Sequence, residues 1–345
     1  MNNNKKIAVL PGDGIGPEVI EEAVKVLDAL DLGFEYLYSD VGSTAFTKTG
    51  NSFPVEAKEA CEEAHAVLLG AVGQNYGPFG IPKRVTHYLR FEKRAYVSVR
   101  QLKLFPGIYD KDDKRSNWKI DTIIVKDNLE GFALDHKGNL WDGDGFDERR
   151  ITKKGAQHII DYCYSKAVKE DRKRVTCIDA HNLLYSDKVF RGVFQNTSKK
   201  YPEFKNESMS VNIASTLLAS NPGRFDVIVT PNIFGEIITG IIIGQIGGVG
   251  LAPSANIGED FAYFEPVHGV AWDIAGKGIA NPIGAILSGK MMLDWLEISD
   301  KARLIEEAIE AVLGGGEVRT LDLSGNSSTE EMGDAIVDYI RSKDR

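Results

Sequence analysis

Residues 264–282 read FEPVHGVAWDIAGKGIANP and form the most specific motif in the sequence. A second glycine cluster, GGVGLAPSA at 247–255, precedes it, and a third, LPGDGIGP at 10–17, lies where a predicted strand turns into a predicted helix. Glycine permits positive φ and lets backbone N–H groups approach an anion at a helix N-terminus. The third cluster does not have GxGxxG spacing, so the Rossmann fingerprint is absent. Taken alone, that loop is equally consistent with a tight structural turn and a ligand loop.

Composition limits the class of protein. The chain has 345 residues, 43% of them hydrophobic and 26% charged, which is typical of a globular protein. A net charge of −9 argues against a nucleic-acid surface. The apolar run at 237–243 is too short to span a membrane, and no signal-peptide core follows Met1. Three irregularly spaced cysteines predict buried or free thiols. We therefore expect a cytoplasmic protein with no membrane partner.

Hydrophobic periodicity predicts alternating strands and helices. Short apolar runs predict strands at 5–10, 34–38, 66–69, 122–125, 174–178 and 226–229. Amphipathic patterns predict helices at 17–30, 54–63, 153–169, 208–219, 233–245, 281–296, 300–313 and 329–342. Polar residues at 110–117 and 142–150 predict loops or domain edges. This alternation indicates an α/β fold with a mostly parallel sheet covered by helices on both faces.

Two further segments complete a family resemblance: LLGAVG at 68–73 and DVIVTPNIFG at 226–235. With the three glycine clusters they make the chain similar to the β-decarboxylating dehydrogenases, the isocitrate/3-isopropylmalate dehydrogenase family. The resemblance implies a two-domain, isopropylmalate dehydrogenase-like fold that is not a Rossmann fold. A discontinuous NAD-binding domain would comprise residues 1–105 and 256–345. The central domain, 106–255, would carry a dimer interface.

The resemblance also implies an NAD site. Asp273 matches the acidic position that accepts hydrogen bonds from the adenine ribose, and a carboxylate there would repel a 2′-phosphate, which favours NAD over NADP. Trp272 departs from the proline usual in the family. The implied cofactor-binding residues are Ile15, Ala71, Glu265, His268, Gly269, Ala271, Asp273, Ile274 and Asn281.

The metal positions of the family have changed here. Three aspartates hold a divalent cation in the family, and the matching residues are Asn212, Glu236 and Gly240. An amide offers a neutral oxygen, glutamate is one methylene longer, and glycine offers no side chain. A hard cation prefers several carboxylate oxygens, so the sequence predicts no metal of the family kind.

The proton-transfer and substrate positions have changed as well. The family's lysine is replaced by Ala180 in DAHN (179–182), and its tyrosine by Ala133 in KDNLEGFA (126–133). Of three substrate-clamping arginines the resemblance leaves Arg100, with Lys126 and Tyr109 at the other two positions. Lysine lacks the bidentate fork of arginine. Asn182, Asn212 and Glu236 would complete the substrate-binding set.

Replacement acid–base groups are available. His181 adjoins the lost lysine, and histidine is a common proton-transfer residue in enzymes. Asp179 lies two residues before it, a spacing compatible with pairing on an extended strand. We predict catalytic roles for His181, Asp179 and Lys126, although a purely structural histidine is the alternative.

Three functions are consistent with this pattern. The first is an NAD-dependent oxidoreductase acting by hydride transfer on a bulkier, less anionic small-molecule substrate, without the family's metal. The second is a non-catalytic or regulatory member that binds NAD or another ligand. The third is a conventional 3-isopropylmalate dehydrogenase. The resemblance implies a homodimer with a shared active site, in which residues 180–182 and Asn212 would reach the neighbour's cleft.

Overall fold

The computed structural model describes residues 5–73, 83–132 and 137–343. Its strands are β1 (Lys6–Leu10), β2 (Glu35–Tyr38), β3 (Ala66–Leu69), β4 (Val97–Lys103), β5 (Asp121–Asp127), β6 (Lys137–Trp141), β7 (Asp144–Glu148), β8 (Arg174–Asp179), β9 (Lys205–Ser210), β10 (Val227–Thr230), β11 (Pro253–Ile257) and β12 (Ala262–Pro266). Its α-helices are α1 (Gly16–Asp28), α2 (Gly42–Thr49), α3 (Val55–Glu63), α4 (Lys83–His87), α5 (Lys153–Lys169), α6 (Tyr185–Thr197), α7 (Val211–Ser220), α8 (Phe234–Ile246), α9 (Ile283–Trp295), α10 (Ser299–Gly315) and α11 (Thr329–Lys343).

One ten-stranded sheet organises the chain, in the order β2-β1-β3-β12-β11-β4-β5-β10-β8-β9. Strand β11 runs antiparallel to β12 and β4, and β4 runs antiparallel to β5, whereas the other neighbouring pairs are parallel. Strands β1, β3 and β10 are almost wholly buried, as parallel strands covered on both faces are. The predicted α/β class is confirmed.

The predicted elements are largely present. All six predicted strands exist, and the predicted helix 153–169 matches α5 at both ends. The helix predicted at 208–219 was wrong at its start, because residues 208–210 pair in β9 beside β8. The loop predicted at 142–150 was also wrong, since β7 pairs with β6 in a hairpin. Cys61, Cys163 and Cys177 are buried free thiols, as expected.

The predicted domain division stays a prediction. The strands at one side of the sheet, β2-β1-β3-β12, come from the two ends of the chain, and those at the other side, β5-β10-β8-β9, come from its middle. Strand β11 straddles the expected boundary between residues 255 and 256. Within the described residues, no helix is long and apolar enough to cross a membrane.

The sheet brings three strand ends to one edge. Strands β5, β10 and β8 are parallel neighbours, with Thr230 opposite Lys126 and Val229 opposite Cys177. Asp179, two residues beyond Cys177, therefore lies at the same edge as Lys126. Ligands of open α/β sheets bind outside the carboxyl ends of parallel strands, so this edge is where a site is expected.

Candidate active site

The glycine loop at residues 10–17 is built around a buried carboxylate. Asp13 is fully buried and accepts hydrogen bonds from the backbone N–H groups of Ser43 (2.9 Å), Thr44 (2.8 Å) and Gly73 (3.1 Å). Ser43 and Thr44 lie in the first turn of α2, whose N–H groups have no partner within the helix. Asp13 thus caps α2 and stabilises it through the helix dipole.

The same loop brings predicted cofactor residues together. The N–H of Ile15 donates to the carbonyl of Val270 (2.9 Å), and the N–H of Asp13 donates to the carbonyl of Ala71 (2.7 Å). Gly14 has φ +58°, and a Cβ there would lie 2.0 Å from the Val270 oxygen, so only glycine fits. The loop, residue 71 and the 264–282 segment therefore converge, as the cofactor prediction requires.

His268 begins the part of the 264–282 segment assigned to the dinucleotide. Its side chain is buried, and its Nδ1 lies 3.0 Å from the carbonyl oxygen of Gly269. Its Nε2 is buried without a hydrogen-bond partner in the described part of the chain. Burial lowers the pKa of His268, so the neutral ring is favoured. An unpaired buried nitrogen here fits a segment completed by a polar ligand.

The 264–282 segment exposes its aspartate to solvent. Asp273 is exposed, and Ile274 is half-buried. Ala271 holds φ +42°, and its carbonyl accepts a hydrogen bond from the N–H of Ile274 (3.0 Å). Asn281 is buried and donates to Asp322 (3.1 Å). These residues are compatible with a dinucleotide bound along the segment. The hydrogen bond from Asn281 to Asp322 holds the end of the segment in place.

The substrate half contains a compact ion-pair cluster. Glu236, in the first turn of α8, lies 2.7 Å and 3.0 Å from two Arg100 nitrogens and 2.9 Å from Lys126 Nζ. Arg100 and Lys126 are buried, whereas the Glu236 side chain is about half exposed at 46%. Three residues predicted to bind substrate are thus brought together, but they bind one another.

Charge and burial act in opposite directions in this cluster. Burial lowers the pKa of Lys126 to about 8, although Glu236 favours the charged form. Burial alone would raise the pKa of Glu236, but the charges of Lys126 and Arg100 more than offset it and lower this pKa to about 2. At neutral pH the cluster therefore contains one carboxylate and two cations.

The start of α8 is shaped to admit Lys126. A Cβ on Gly235 would lie 2.8 Å from Lys126 Cδ. Because Gly235 has no side chain, the Lys126 side chain can pack against the first turn of α8. Asn232 donates to the carbonyl of Asp127 (2.8 Å), and its Oδ1 accepts from the N–H of Ile233. Ile233 holds φ +69°, an unfavourable value for a β-branched residue and a sign of local strain.

The pairing of Asp179 with His181 is present. His181 Nδ1 lies 3.0 Å from Asp179 Oδ1, and the His181 N–H donates to the same oxygen. Arg191 binds the fully buried Asp179 in a bidentate manner, with Nε at 2.7 Å and Nη2 at 2.9 Å. Arg191 holds the Asp179 carboxylate in place, and Asp179 in turn holds Nδ1 of the imidazole, so that Nε2 faces away from it.

Several site residues were not predicted. Besides Arg191, these include Asp187, which accepts the N–H of Ala180 (2.7 Å) and pairs with Arg149. The Arg149 guanidinium lies 5.7 Å from the centre of the Phe132 ring and 5.5 Å from that of Phe234, and its side chain is 6% exposed. An arginine in a run of charged residues gives no sequence signal of burial, so periodicity could not have identified Arg149.

Another predicted substrate residue, Tyr109, lies away from the cluster. The Tyr109 hydroxyl donates to the carbonyl of Gln245 (2.9 Å), nine residues beyond Glu236 and therefore about 13 Å along α8. Asn182 and Asn212 are exposed. Ala133 lies outside the described residues.

The residues at the metal positions do not fit a divalent cation. Glu236 is engaged by two cations, Gly240 has no side chain, and Asn212 provides only an amide. Across residues 5–73, 83–132 and 137–343 there is no cluster of three or more His, Cys, Asp or Glu side chains that could hold a metal. These three residues therefore supply no ligand set for a divalent cation.

The fold and the similar sequences together place the chain in the class of dehydrogenases, which are oxidoreductases. More narrowly, the chain belongs to the isocitrate/isopropylmalate dehydrogenase family, whose sequence profile matches residues 6–336. It is 40% identical to a 3-isopropylmalate dehydrogenase of Archaeoglobus fulgidus, over 97% of this chain and 99% of the relative. It is 39% identical to a homoisocitrate dehydrogenase of Methanocaldococcus jannaschii, over 98% of each. The crystal structure of isocitrate dehydrogenase from Methylococcus capsulatus superposes with a TM-score of 0.91 at 33% identity, covering 98% and 99% of the two chains.

Proposed function

We propose that this chain oxidises the hydroxyl group of a hydroxy acid with NAD, without the family's metal, and that its substrate has fewer carboxylates than isocitrate or 3-isopropylmalate. The observation that carries the proposal is the pairing of Glu236 with both Arg100 and Lys126. Those two cations occupy substrate-clamping positions, and an internal carboxylate now occupies them.

Charge balance supports the less anionic substrate. Two cations and one carboxylate leave a single net positive charge, which matches one substrate carboxylate. A substrate with two or three carboxylates would bring its charges close to Glu236 and would be disfavoured by repulsion. The small side chain of Ala180 and the absence of one at Gly240 leave room for an apolar substituent.

The reaction requires a proton acceptor. Oxidation transfers a hydride from the carbinol carbon to the nicotinamide ring of NAD and releases the hydroxyl proton to a base. His181 is suited to this role, because Asp179 holds Nδ1 and leaves Nε2 to accept the proton. Arg100 and Lys126 would orient the substrate carboxylate.

The cofactor preference rests on Asp273. Its exposed carboxylate stands in the segment assigned to the adenosine half, where it would accept ribose hydroxyl hydrogen bonds and repel a 2′-phosphate. We expect Asp273→Asn to narrow the preference for NAD over NADP, measured as the ratio of the two dissociation constants. An unchanged ratio would place the ribose elsewhere.

A homodimer is part of this proposal. Ile213 on α7 and Ile237 on α8 are apolar and more than half exposed, and so are Leu183 and Tyr185 beside His181. Exposed apolar residues in neighbouring elements are typical of an interface. The dimer would bring residues 180–182 to the neighbour's cleft. Sedimentation at micromolar concentration tests this, and a monomeric species would contradict it.

A substrate screen tests the catalytic proposal. NADH formation is measured with hydroxy acids of one, two and three carboxylates, including 3-isopropylmalate. We expect turnover with monocarboxylates, and a loss of about 10²- to 10⁴-fold in kcat for His181→Asn with an unchanged NAD dissociation constant. His65→Asn, an exposed histidine outside the site, is the matched control. Manganese-dependent oxidation of 3-isopropylmalate would establish the conventional enzyme and overturn the proposal.

The regulatory alternative is favoured by the same pairing. Arg100 and Lys126 are already neutralised in part by Glu236, so the chain needs no substrate to satisfy them. NAD binding without turnover of any hydroxy acid, together with stimulation of a partner dehydrogenase, would identify a regulatory member.

A further inference from the structure

A continuous chain of hydrogen bonds links the ion-pair cluster to the start of the 264–282 segment. Lys126 Nζ donates to Asn128 Oδ1 (3.1 Å), and Asn128 Nδ2 donates to Asn256 Oδ1 (2.7 Å). Asn256 Nδ2 then donates to Glu265 Oε1 (3.0 Å), which also lies 3.4 Å from an Arg90 nitrogen. We call Lys126, Asn128, Asn256 and Glu265 the amide relay.

The direction of the relay is fixed by its neighbours. A lysine ammonium can only donate and the carbonyl of Ala95 can only accept, and Asn128 lies between them, with its Nδ2 3.2 Å from the Ala95 oxygen. Asn128 must therefore turn its oxygen to Lys126 and its nitrogen to Asn256. Asn256 is then forced to accept from Asn128 and to donate to Glu265.

Burial distinguishes the middle of the relay from its ends. Lys126, Asn128 and Asn256 are at most 1% exposed. The Glu265 side chain is 17% exposed, and at the other end Glu236, which holds Lys126, is 46% exposed. A ligand can therefore contact Glu265 at one end or Glu236 at the other, whereas Asn128 and Asn256 in the middle are shielded from solvent. A buried amide that loses its hydrogen-bond partner is destabilised, so a change at one member of the relay affects the position of the next.

We infer that Asn128 and Asn256 are positioning residues that couple the substrate-binding lysine to the cofactor-binding glutamate. The inference rests on the proposed function, which places Lys126 at the substrate, and on the family resemblance, which implies that Glu265 lies in the cofactor site. Loss of Lys126 frees the Asn128 oxygen and loosens Asn256, which then no longer holds Glu265 in place. NAD affinity therefore depends on Lys126, although Lys126 lies in the substrate half of the site.

A double-mutant cycle on NAD binding tests the relay. Calorimetry gives the NAD dissociation constant for the wild type, Lys126→Met, Asn256→Leu and the double variant. We expect Lys126→Met to weaken NAD binding about fivefold in the wild type, a common size for coupling between sites. In the Asn256→Leu background the same change should have less than about a twofold effect, because the path is already cut.

Matched variants keep the test decisive. Lys290→Met removes another largely buried lysine, which pairs with Asp294 and Glu306 outside the relay, and should leave the NAD dissociation constant unchanged. If Asn256→Leu does not fold, Asn256→Ser cuts the same path with a smaller polar side chain. Equal effects of Lys126→Met in both backgrounds, or no effect in either, would overturn the relay. Because no turnover is measured, an inactive protein with a coupled cycle would contradict only the proposed function.

Discussion

Glu236 Oε1 lies 2.9 Å from Lys126 Nζ, so the carboxylate at a metal-ligand position of the family is used here to bind a cation of the protein itself. Arg100 binds the other side of the same carboxylate at 2.7 Å. In the proposed function, these two fixed internal cations take the place of an external divalent charge.

Removal of the Glu236 charge should change anion binding. In Glu236→Gln, Lys126 and Arg100 lose their carboxylate, so we expect tighter binding of dicarboxylates by calorimetry and a loss of about 1 to 3 kcal/mol in the free energy of unfolding. The lower end is favoured because Glu236 is half exposed. Glu59→Gln, an exposed glutamate on α3, is the control. Unchanged dicarboxylate affinity would show that the pairing does not limit the site.

Gly235 should be intolerant of a methyl group. In Gly235→Ala the new Cβ would lie 2.8 and 2.9 Å from Lys126 atoms, so we expect a loss of about 1 to 3 kcal/mol in urea unfolding and weaker substrate binding. Gly192→Ala in α6 meets no atom within 4 Å and should be neutral or stabilising by up to about 1 kcal/mol. Equal effects of the two substitutions would contradict the packing of Lys126 under α8.

Asp127 should make stability depend on pH. Burial raises its pKa to about 6, although the N–H groups of Leu129 and Glu130 donate to it. The folded state then binds more protons than the unfolded state between about pH 4 and 6, so stability falls as pH rises through that window. Asp127→Asn keeps the accepting oxygen and should be more stable than wild type by about 1 to 3 kcal/mol at pH 7, with little difference near pH 4.

The control for Asp127 is Asp338→Asn, an exposed aspartate on α11. Thermal unfolding at several pH values measures both variants. A gain at pH 7 that persists unchanged at pH 4, or a gain shared by Asp338→Asn, would show that the Asp127 carboxylate is not the source of the pH dependence.

Substitutions of Asp179 and His181 should affect stability and catalysis to different extents. Asp179→Asn removes the charge that pairs with the largely buried Arg191, so we expect a loss of about 3 to 5 kcal/mol in the free energy of unfolding. His181 is about one-third exposed, so His181→Asn should cost less than about 1 kcal/mol while abolishing most turnover. Denaturant unfolding and kcat are measured on both. Full activity in His181→Asn would leave the histidine with a structural role only.

Sequence reasoning succeeded where a local pattern determines the structure. The helix at 153–169 and the spacing of Asp179 and His181 depend on neighbours in the chain, and both are observed. The family resemblance predicts that Arg100, Lys126 and Glu236 share a site, and they are in contact, but their mutual pairing depends on rotamers that no pattern encodes.

Long-range contacts explain what the sequence did not reveal. Strands β4, β11 and β12 were not predicted, so Asn256 could not be placed beside Asn128, 128 residues away in the chain. Arg90 was missed for the same reason, because its partners Tyr263 and Glu265 lie on β12. Ser208 was wrongly predicted to be helical. Pairing of β9 with β8 overrides the local preference on which that prediction was based.

The effect of a chelator on turnover tests the central claim most directly. NADH formation from the preferred hydroxy acid is compared after exhaustive treatment with EDTA and after addition of Mn²⁺ or Mg²⁺. The internal pairing of Glu236 with Lys126 and Arg100 predicts the same rate in both conditions. Activity that disappears with EDTA and returns with Mn²⁺ would contradict the account, because Glu236 would then have to leave its two cations to bind a metal.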